Sequence, residues 1–397
     1  MLSIRAKSFK PSPTLAMDAR AKAMKAEGID IVNFGVGEPD FDTPDNIKEA
    51  AIKAIRDGFT KYTPVGGIDP LKDSIIEKFN RDNGLHYERE EIIVSCGAKH
   101  SLYNIAQALL SPGDEVLIPS PYWVSYPEQV FLNDASPVFV KTYEEDSFMV
   151  KPEAIKSNIT KKTKALILNS PSNPTGMTYG KKNLEQLAEL ALKYKLLVIS
   201  DEIYENLLYD GVTHTSIASL GSEIKKMTIV VNGFSKSYAM TGWRVGYAAG
   251  PREIIQAMTS IQSQSTSNPT SIAQKAAVEA LKGPQDFINI MVAEFDKRRK
   301  FLISELNAIP GISCISPTGA FYAFPNTSKL YGRSLHDKHI SSSSDLALCL
   351  LEHAQVGLVH GKAFGDDNYI RLSYATSIDE IRKGVNRIQE VVQEMSS

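Results

Sequence analysis

Cysteine is scarce. The 397-residue chain has three, Cys96, Cys314 and Cys349, and they lie far apart. Three scattered thiols build neither a disulfide framework nor a zinc site, and they suit a reducing compartment. No run of 18 apolar residues occurs, and Met1 to Lys10 lacks the apolar core of a secretory signal. The expectation is a soluble cytoplasmic protein, or an organelle protein whose transit peptide has been removed. An excess of one charge is also missing: 44 basic and 46 acidic residues leave a formal net charge of −2. That balance offers no footprint for nucleic acid or a membrane surface. No Gly-x-Gly-x-x-Gly follows the first apolar runs, which disfavours a nicotinamide-dependent oxidoreductase. No internal repeat is evident. The histidines His100, His214, His353 and His360 have no metal-ligand spacing.

The chain does have length and apolar content for two cores. Short apolar runs recur at Ile92 to Val94, Glu115 to Ile118, Ala165 to Leu168, Leu196 to Ile199, Thr228 to Val231 and Val245 to Ala249. Their length and β-branched content predict buried strands. Helical patterns over Lys99 to Leu110 and Leu184 to Tyr194 alternate with them, which predicts an α/β fold with a mostly parallel sheet covered on both faces. This block spans residues 45–285. Residues 286–397 have another character: a charged helix over Phe287 to Ala308, strands within Gly311 to Phe324, a loop and cap at Ser341 to Ser344, and a terminal helix from Ser377. They are read as a smaller α+β domain, joined in space by an N-terminal arm, residues 1–44.

In an open parallel sheet, ligands bind beyond the carboxyl ends of the strands. After Val94 comes Ser95-Cys96-Gly97-Ala98-Lys99, small residues opening a helix whose amides can approach a phosphate, although a plain turn fits as well. After Leu168 comes Asn169-Ser170-Pro171-Ser172-Asn173-Pro174-Thr175-Gly176, a loop able to aim an amide inward. After Ile199 comes Asp201, a carboxylate leaving a buried strand and needing a cation or donor. After Asn232 comes Ser235-Lys236-Ser237-Tyr238-Ala239-Met240-Thr241-Gly242-Trp243-Arg244. A lysine at a strand end can form a Schiff base if its surroundings depress its pKa. The fork-shaped Arg244 suits a phosphate. An aldehyde and a phosphate on one molecule describe pyridoxal 5′-phosphate, although such a pair is more often two solvated surface charges.

These pieces together resemble the class I/II aminotransferases, within the fold type I transferases that use pyridoxal 5′-phosphate. The resemblance also takes in Gly35-Val36-Gly37-Glu38-Pro39-Asp40-Phe41, Tyr62, Pro121-Tyr122-Trp123, Asp201 to Tyr204 and Tyr369-Ile370-Arg371-Leu372-Ser373, in family order along nearly the whole chain. The nearest branch in look is the prokaryote-type aspartate aminotransferases, some of which also transaminate prephenate. The resemblance implies that Lys236 carries the cofactor and moves the substrate Cα proton. It implies that Asp201 keeps the pyridine nitrogen protonated, that Asn173 and Tyr204 bond the ring oxygen, and that Trp123 stacks on the ring. Ser235, Arg244 and the Gly97-Ala98-Lys99 backbone would hold the phosphate, joined by Tyr62 of a neighbouring subunit, so a homodimer with shared sites is expected. Arg371, helped by Gly37, would take the α-carboxylate of amino-acid and 2-oxo-acid substrates.

Dicarboxylate selectivity needs a further cation. Gln262 to Asn268, where another branch supplies an arginine from the partner subunit, contains none. The resemblance offers Lys99 and Thr14 instead, implying aspartate:2-oxoglutarate transamination with prephenate as an additional acceptor. Blander readings stay open: Trp123 as core packing, Arg371 as half of a structural ion pair, Tyr62 as a surface turn, Lys99 as a solvated helix-start lysine. Transamination of alanine or aromatic amino acids, a lyase or decarboxylase on the same fold, and a ligand sensor fused to a DNA-binding domain are the alternative functions. The sensor is disfavoured because the chain opens on the family's own N-terminal arm.

Overall fold

The computed structural model describes residues 1–2, 7, 13–336 and 338–396. Its strands, in chain order, are β1 (Val32–Asn33), β2 (Ile92–Ser95), β3 (Glu115–Ser120), β4 (Ser136–Lys141), β5 (Thr163–Asn169), β6 (Leu197–Asp201), β7 (Thr228–Gly233), β8 (Gly246–Ala249), β9 (Tyr322–Ala323), β10 (Ser334–Leu335), β11 (Lys338–His339), β12 (Val356–Gly357), β13 (Val359–His360) and β14 (Ile370–Ser373). Seven of them form one sheet in the order β2-β8-β7-β6-β5-β3-β4. The four pairings from β7 through β4 are parallel.

The expected α/β fold with a mostly parallel sheet is what the chain forms, and the exception is instructive. β8 runs antiparallel to both β2 and β7. A parallel return needs a crossover helix, and the stretch from Phe234 to Val245 holds only a turn at Ser235–Tyr238 and a three-residue 3₁₀ turn at Thr241–Trp243. The chain therefore makes a wide hairpin, with Gly233 opposite Gly246, and Lys236 and Arg244 both lie in its loop.

Alternation along the strands separates the two faces of the sheet. Ala165, Ile167, Ile199, Ile229 and Val231 face Leu102 and Ile105 of the helix Ala98–Leu109 and Ile255 and Met258 of the helix Arg252–Ser265. On the opposite face, Leu166, Leu168 and Val198 meet Leu184 and Leu187 of the helix Lys181–Tyr194. Each fully buried leucine or isoleucine contributes roughly 1.5–3 kcal/mol, so both faces must be covered. β4 was not expected from sequence. It is the edge strand, with only Val140 buried, and so lacks the uniform apolar run of the inner strands.

A second core gathers Phe295 and Leu302 of the helix Asp286–Ala308, Leu346 and Leu350 of the helix Ser343–His353, and Ile381 and Ile388 of the helix Ile378–Glu394, together with Val32 and Phe34. β1 pairs in parallel with β12, tying the N-terminal segment to this core. Ser342 and Ser377 cap the last two helices by accepting from the amides of Asp345 and Glu380. The strands expected within Gly311 to Phe324 reduce to Tyr322–Ala323 plus isolated bridges at Ser313 and Gly319. Pro317 and the neighbouring glycine interrupt any longer ladder.

Candidate active site

β5, β6 and β7 are parallel, so their carboxyl ends open on one edge of the sheet, where the second core closes over them. Between the two lies a cavity of about 420 Å³. Lys236, Asp201, Tyr204, Asn173, Trp123, Ala98, Lys99, Ser235, Arg244, Gly37 and Arg371 all border it. Two other expected site residues, Gly97 and Tyr62, do not. Gly97 lies just behind the wall as the residue preceding the helix Ala98–Leu109. Tyr62 projects into solvent, 92% exposed. Thr14 belongs to the helix Pro13–Ala26, and its side chain lies outside the described residues.

Lys236 sits at the centre. Its ammonium donates to the Gly37 carbonyl at 2.5 Å. Burial pulls its pKa down to about 8, with Arg371 and Arg244 acting the same way against the opposing carboxylates of Glu38 and Asp201. Asp201, 4% exposed, accepts from the Tyr126 hydroxyl at 2.7 Å and from the Ile203 amide. Burial pushes its carboxyl up to about 6. Among the described residues no cation forms an ion pair with it, so its charge invites a cationic ring nitrogen.

Arg371 presents the opposite case. Its guanidinium is buried between Tyr322 and Phe364, with ring centroids at 4.6 and 5.0 Å. It donates to Asn173 Oδ1 at 3.0 Å and to the Gly35 carbonyl at 2.8 Å, while its Nε has no partner. Among the described residues no carboxylate pairs with it, and burial lowers its pKa. The blander reading, a structural ion pair, is therefore not what forms here. A buried fork of donors without an anion suits a ligand carboxylate.

At the other end of the cavity Arg244 donates to the Thr241 and Cys96 carbonyls. Gly97 has φ of +91° and lies so close that a Cβ there would stand 2.5 Å from Arg244 Nη2. Gly246 is equally constrained, since a Cβ would stand 2.3 Å from the Ala98 amide nitrogen. The absence of a side chain at both glycines lets Arg244 and β8 approach the first turn of a helix, where free amides favour an anion. Lys99 reaches over the Trp123 ring at 4.9 Å, and burial and Arg244 lower its pKa. Planar aromatic walls, a buried amine, an unpaired buried carboxylate and an anion cradle fit pyridoxal 5′-phosphate feature by feature.

Sequence reasoning missed Tyr126, Tyr322 and the carbonyls of Gly35 and Gly37. Tyr126 lies three residues after Trp123, at the start of the helix Ser125–Phe131, a proximity that could have drawn notice. Tyr322 stands among Phe321, Ala323 and Phe324 and reads as plain core.

Comparison with known proteins gives the arrangement its place. The family model "Aminotransferase class I and II" matches residues 29–388. The chain belongs to the class I and II aminotransferases. It is 50% identical over 393 residues to the aspartate aminotransferase of Bacillus sp. (strain YM-2), covering 99% of each chain. It is 50% identical over 394 residues to the probable aspartate/prephenate aminotransferase of Rickettsia conorii, covering 99% of this chain and 98% of the relative. Among solved structures, the aspartate aminotransferase of Rhizobium meliloti superposes with a TM-score of 0.97 at 44% identity over 100% of both chains. As in the family, the sheet is the α/β scaffold of fold type I, and this aminotransferase has no described helix long and apolar enough to cross a membrane.

Proposed function

We propose that this aminotransferase moves the amino group of aspartate to 2-oxoglutarate with pyridoxal 5′-phosphate held at Lys236, and that prephenate serves as an additional acceptor. The observation carrying the substrate assignment is a pair of cations on one cavity: Arg371, buried without an anion, and Lys99, held over Trp123. A dicarboxylic substrate needs both. The stretch Gln262 to Asn268 has no cation to offer, and Gln262 spends its amide on the Val65 and Val94 carbonyls. The names of the relatives carry aspartate and, for one of them, prephenate.

The cofactor, when bound, supplies the carbonyl that captures the amino group and the electron sink for charge developing at the substrate Cα. The chain does the rest. With a pKa near 8, Lys236 is neutral in roughly one molecule in ten at pH 7, against about one in several thousand for an unperturbed lysine. That makes it nucleophilic first and a base for the Cα proton later. Asp201 would hold a proton on the ring nitrogen, and Asn173 and Tyr204 would hydrogen-bond the ring oxygen. Trp123 would cover one ring face, and Arg244, Ser235 and the amides from Gly97 to Lys99 would hold the phosphate. Arg371 and Gly37 orient the α-carboxylate, with Lys99 and Thr14 reading the distal one. Tyr62, exposed in the single chain, is assigned to the partner's phosphate site in a homodimer. The proposed division of the chain is an arm (1–44), a large domain (45–285) and a small domain (286–397), a reading supported by the clustering of Phe295, Leu302, Leu346 and Ile388 apart from the sheet's own apolar faces.

Lys99→Ala tests the reading. It should lower kcat/KM for aspartate by roughly tenfold to a thousandfold, the range for truncating one partner of a desolvated charge pair, and largely spare phenylalanine. Equal losses for both would make Lys99 a phosphate-site or structural residue.

A further inference from the structure

Tyr322 is 1% exposed, borders the cavity and has no part in the assignments above. Its strand β9 pairs antiparallel with β14, Tyr322 opposite Ser373, which brings its ring beneath the guanidinium of Arg371 at 4.6 Å. Its hydroxyl lies 2.8 Å from the hydroxyl of Tyr204. It also lies where only a glycine can pass, since a Cβ on Gly37 would stand 2.9 Å from it. One side chain thus touches the carboxylate-binding arginine with its face and the ring-oxygen donor with its tip.

A hydroxyl has one proton. If Tyr204 donates toward the cofactor ring, the short contact between the two tyrosines requires Tyr322 to donate to Tyr204. We propose that Tyr322 is a positioning residue with two separable tasks: its hydroxyl fixes the proton of Tyr204 toward the cofactor, and its ring is the floor that aims Arg371 at the α-carboxylate. This rests on the roles proposed above for Tyr204 and Arg371. A donor into Tyr204 polarises its O–H and strengthens the bond it makes onward. The charged groups facing this pair are Arg371 on β14, Lys236 on the hairpin loop and Asp201 at the end of β6.

The two tasks come apart in two substitutions. Tyr322→Phe keeps the floor and loses the donor. The pKa read from the absorbance of the Lys236-linked chromophore should rise by roughly half a unit to one unit, the equivalent of about a three- to tenfold change and the size expected for one neutral hydrogen bond. Affinity for maleate, a dicarboxylate with no amino group, should stay within about twofold. Tyr322→Leu removes the floor and should weaken maleate binding by about threefold to thirtyfold. In a Tyr204→Phe background, Tyr322→Phe should shift the chromophore no further, an outcome that a general loss of stability would not produce. An unchanged chromophore pKa in Tyr322→Phe, or an undiminished shift in the Tyr204→Phe background, overturns the proposal. Absence of any Lys236-linked chromophore in the unaltered enzyme would overturn instead the functional reading beneath it.

Discussion

Replacing Arg371 with methionine should separate binding from folding. The arginine is 3% exposed and has no carboxylate partner among the described residues, so its removal strands no described counter-charge. Breaking a true buried ion pair costs about 3–5 kcal/mol because the surviving charge is left unpaired. Here the substitution loses two hydrogen bonds, to Asn173 Oδ1 and the Gly35 carbonyl, and also relieves a desolvated cation. Methionine matches the length of the site and packs against Tyr322 and Phe364. The two effects oppose each other, and unfolding of the substrate-free enzyme should shift by less than about 1 kcal/mol. Substrate is another matter: a bidentate contact to a desolvated carboxylate is lost, worth about 2–5 kcal/mol or roughly thirtyfold to several thousandfold in kcat/KM. Denaturant melts alongside steady-state kinetics with aspartate and with alanine are the assay, and both substrates should suffer alike because both carry an α-carboxylate. A large stability loss with an unaffected KM would show that Arg371 is a structural residue and that the carboxylate site lies elsewhere.

Labelling of cofactor-free protein by reductive methylation should modify Lys236 with a midpoint near its depressed pKa of about 8; a midpoint above pH 10 would contradict the burial argument. Lys236→Ala should abolish the borohydride-reducible adduct, whereas an adduct persisting on another lysine would mean a different attachment point. Asp201 has its pKa raised from 3.8 to about 6, so the folded state binds the extra proton and this group's stabilisation, full below pH 3.8, is lost as pH rises through about 6. The gain in melting temperature of Asp201→Asn over the cofactor-free parent should therefore grow from about pH 4 to about pH 6 and then level off, and parallel pH profiles would count against it. Coexpressing Tyr62→Ala with Lys236→Ala chains should restore activity through hybrid dimers with one intact site; an active monomer in sedimentation would rule out that exchange.

The parts of the site legible in sequence were those that follow strand ends. Asp201 and Lys236 could be placed because β6 and β7 read as apolar runs, buried in the fold except at Leu197, and because a charge leaving such a strand needs a reason. The direction of β8 was harder, since its residues are as apolar as those of a parallel strand and only the helix-free connection before it tells the difference. Tyr322 was invisible for a similar cause: an aromatic residue in an aromatic run carries no sign that its hydroxyl faces a cavity. Gly35 and Gly37 were visible as a motif, while the acceptors they provide belong to the backbone and have no side-chain signature at all.

Backbone acceptors change how the enzyme tolerates mutation. The two central cations, Lys236 and Arg371, rest on main-chain oxygens of Gly37 and Gly35. No codon change deletes a carbonyl, so these contacts are shielded from direct mutation. The vulnerability moves to whatever fixes the path of the segment: Asp40 paired with Arg298 at 2.7 Å, and Phe41 wedged edge-on between Phe287 and Phe295. Drift in the family's chemistry can thus begin in a helix that never touches substrate, by loosening the mooring of a loop whose own letters stay the same.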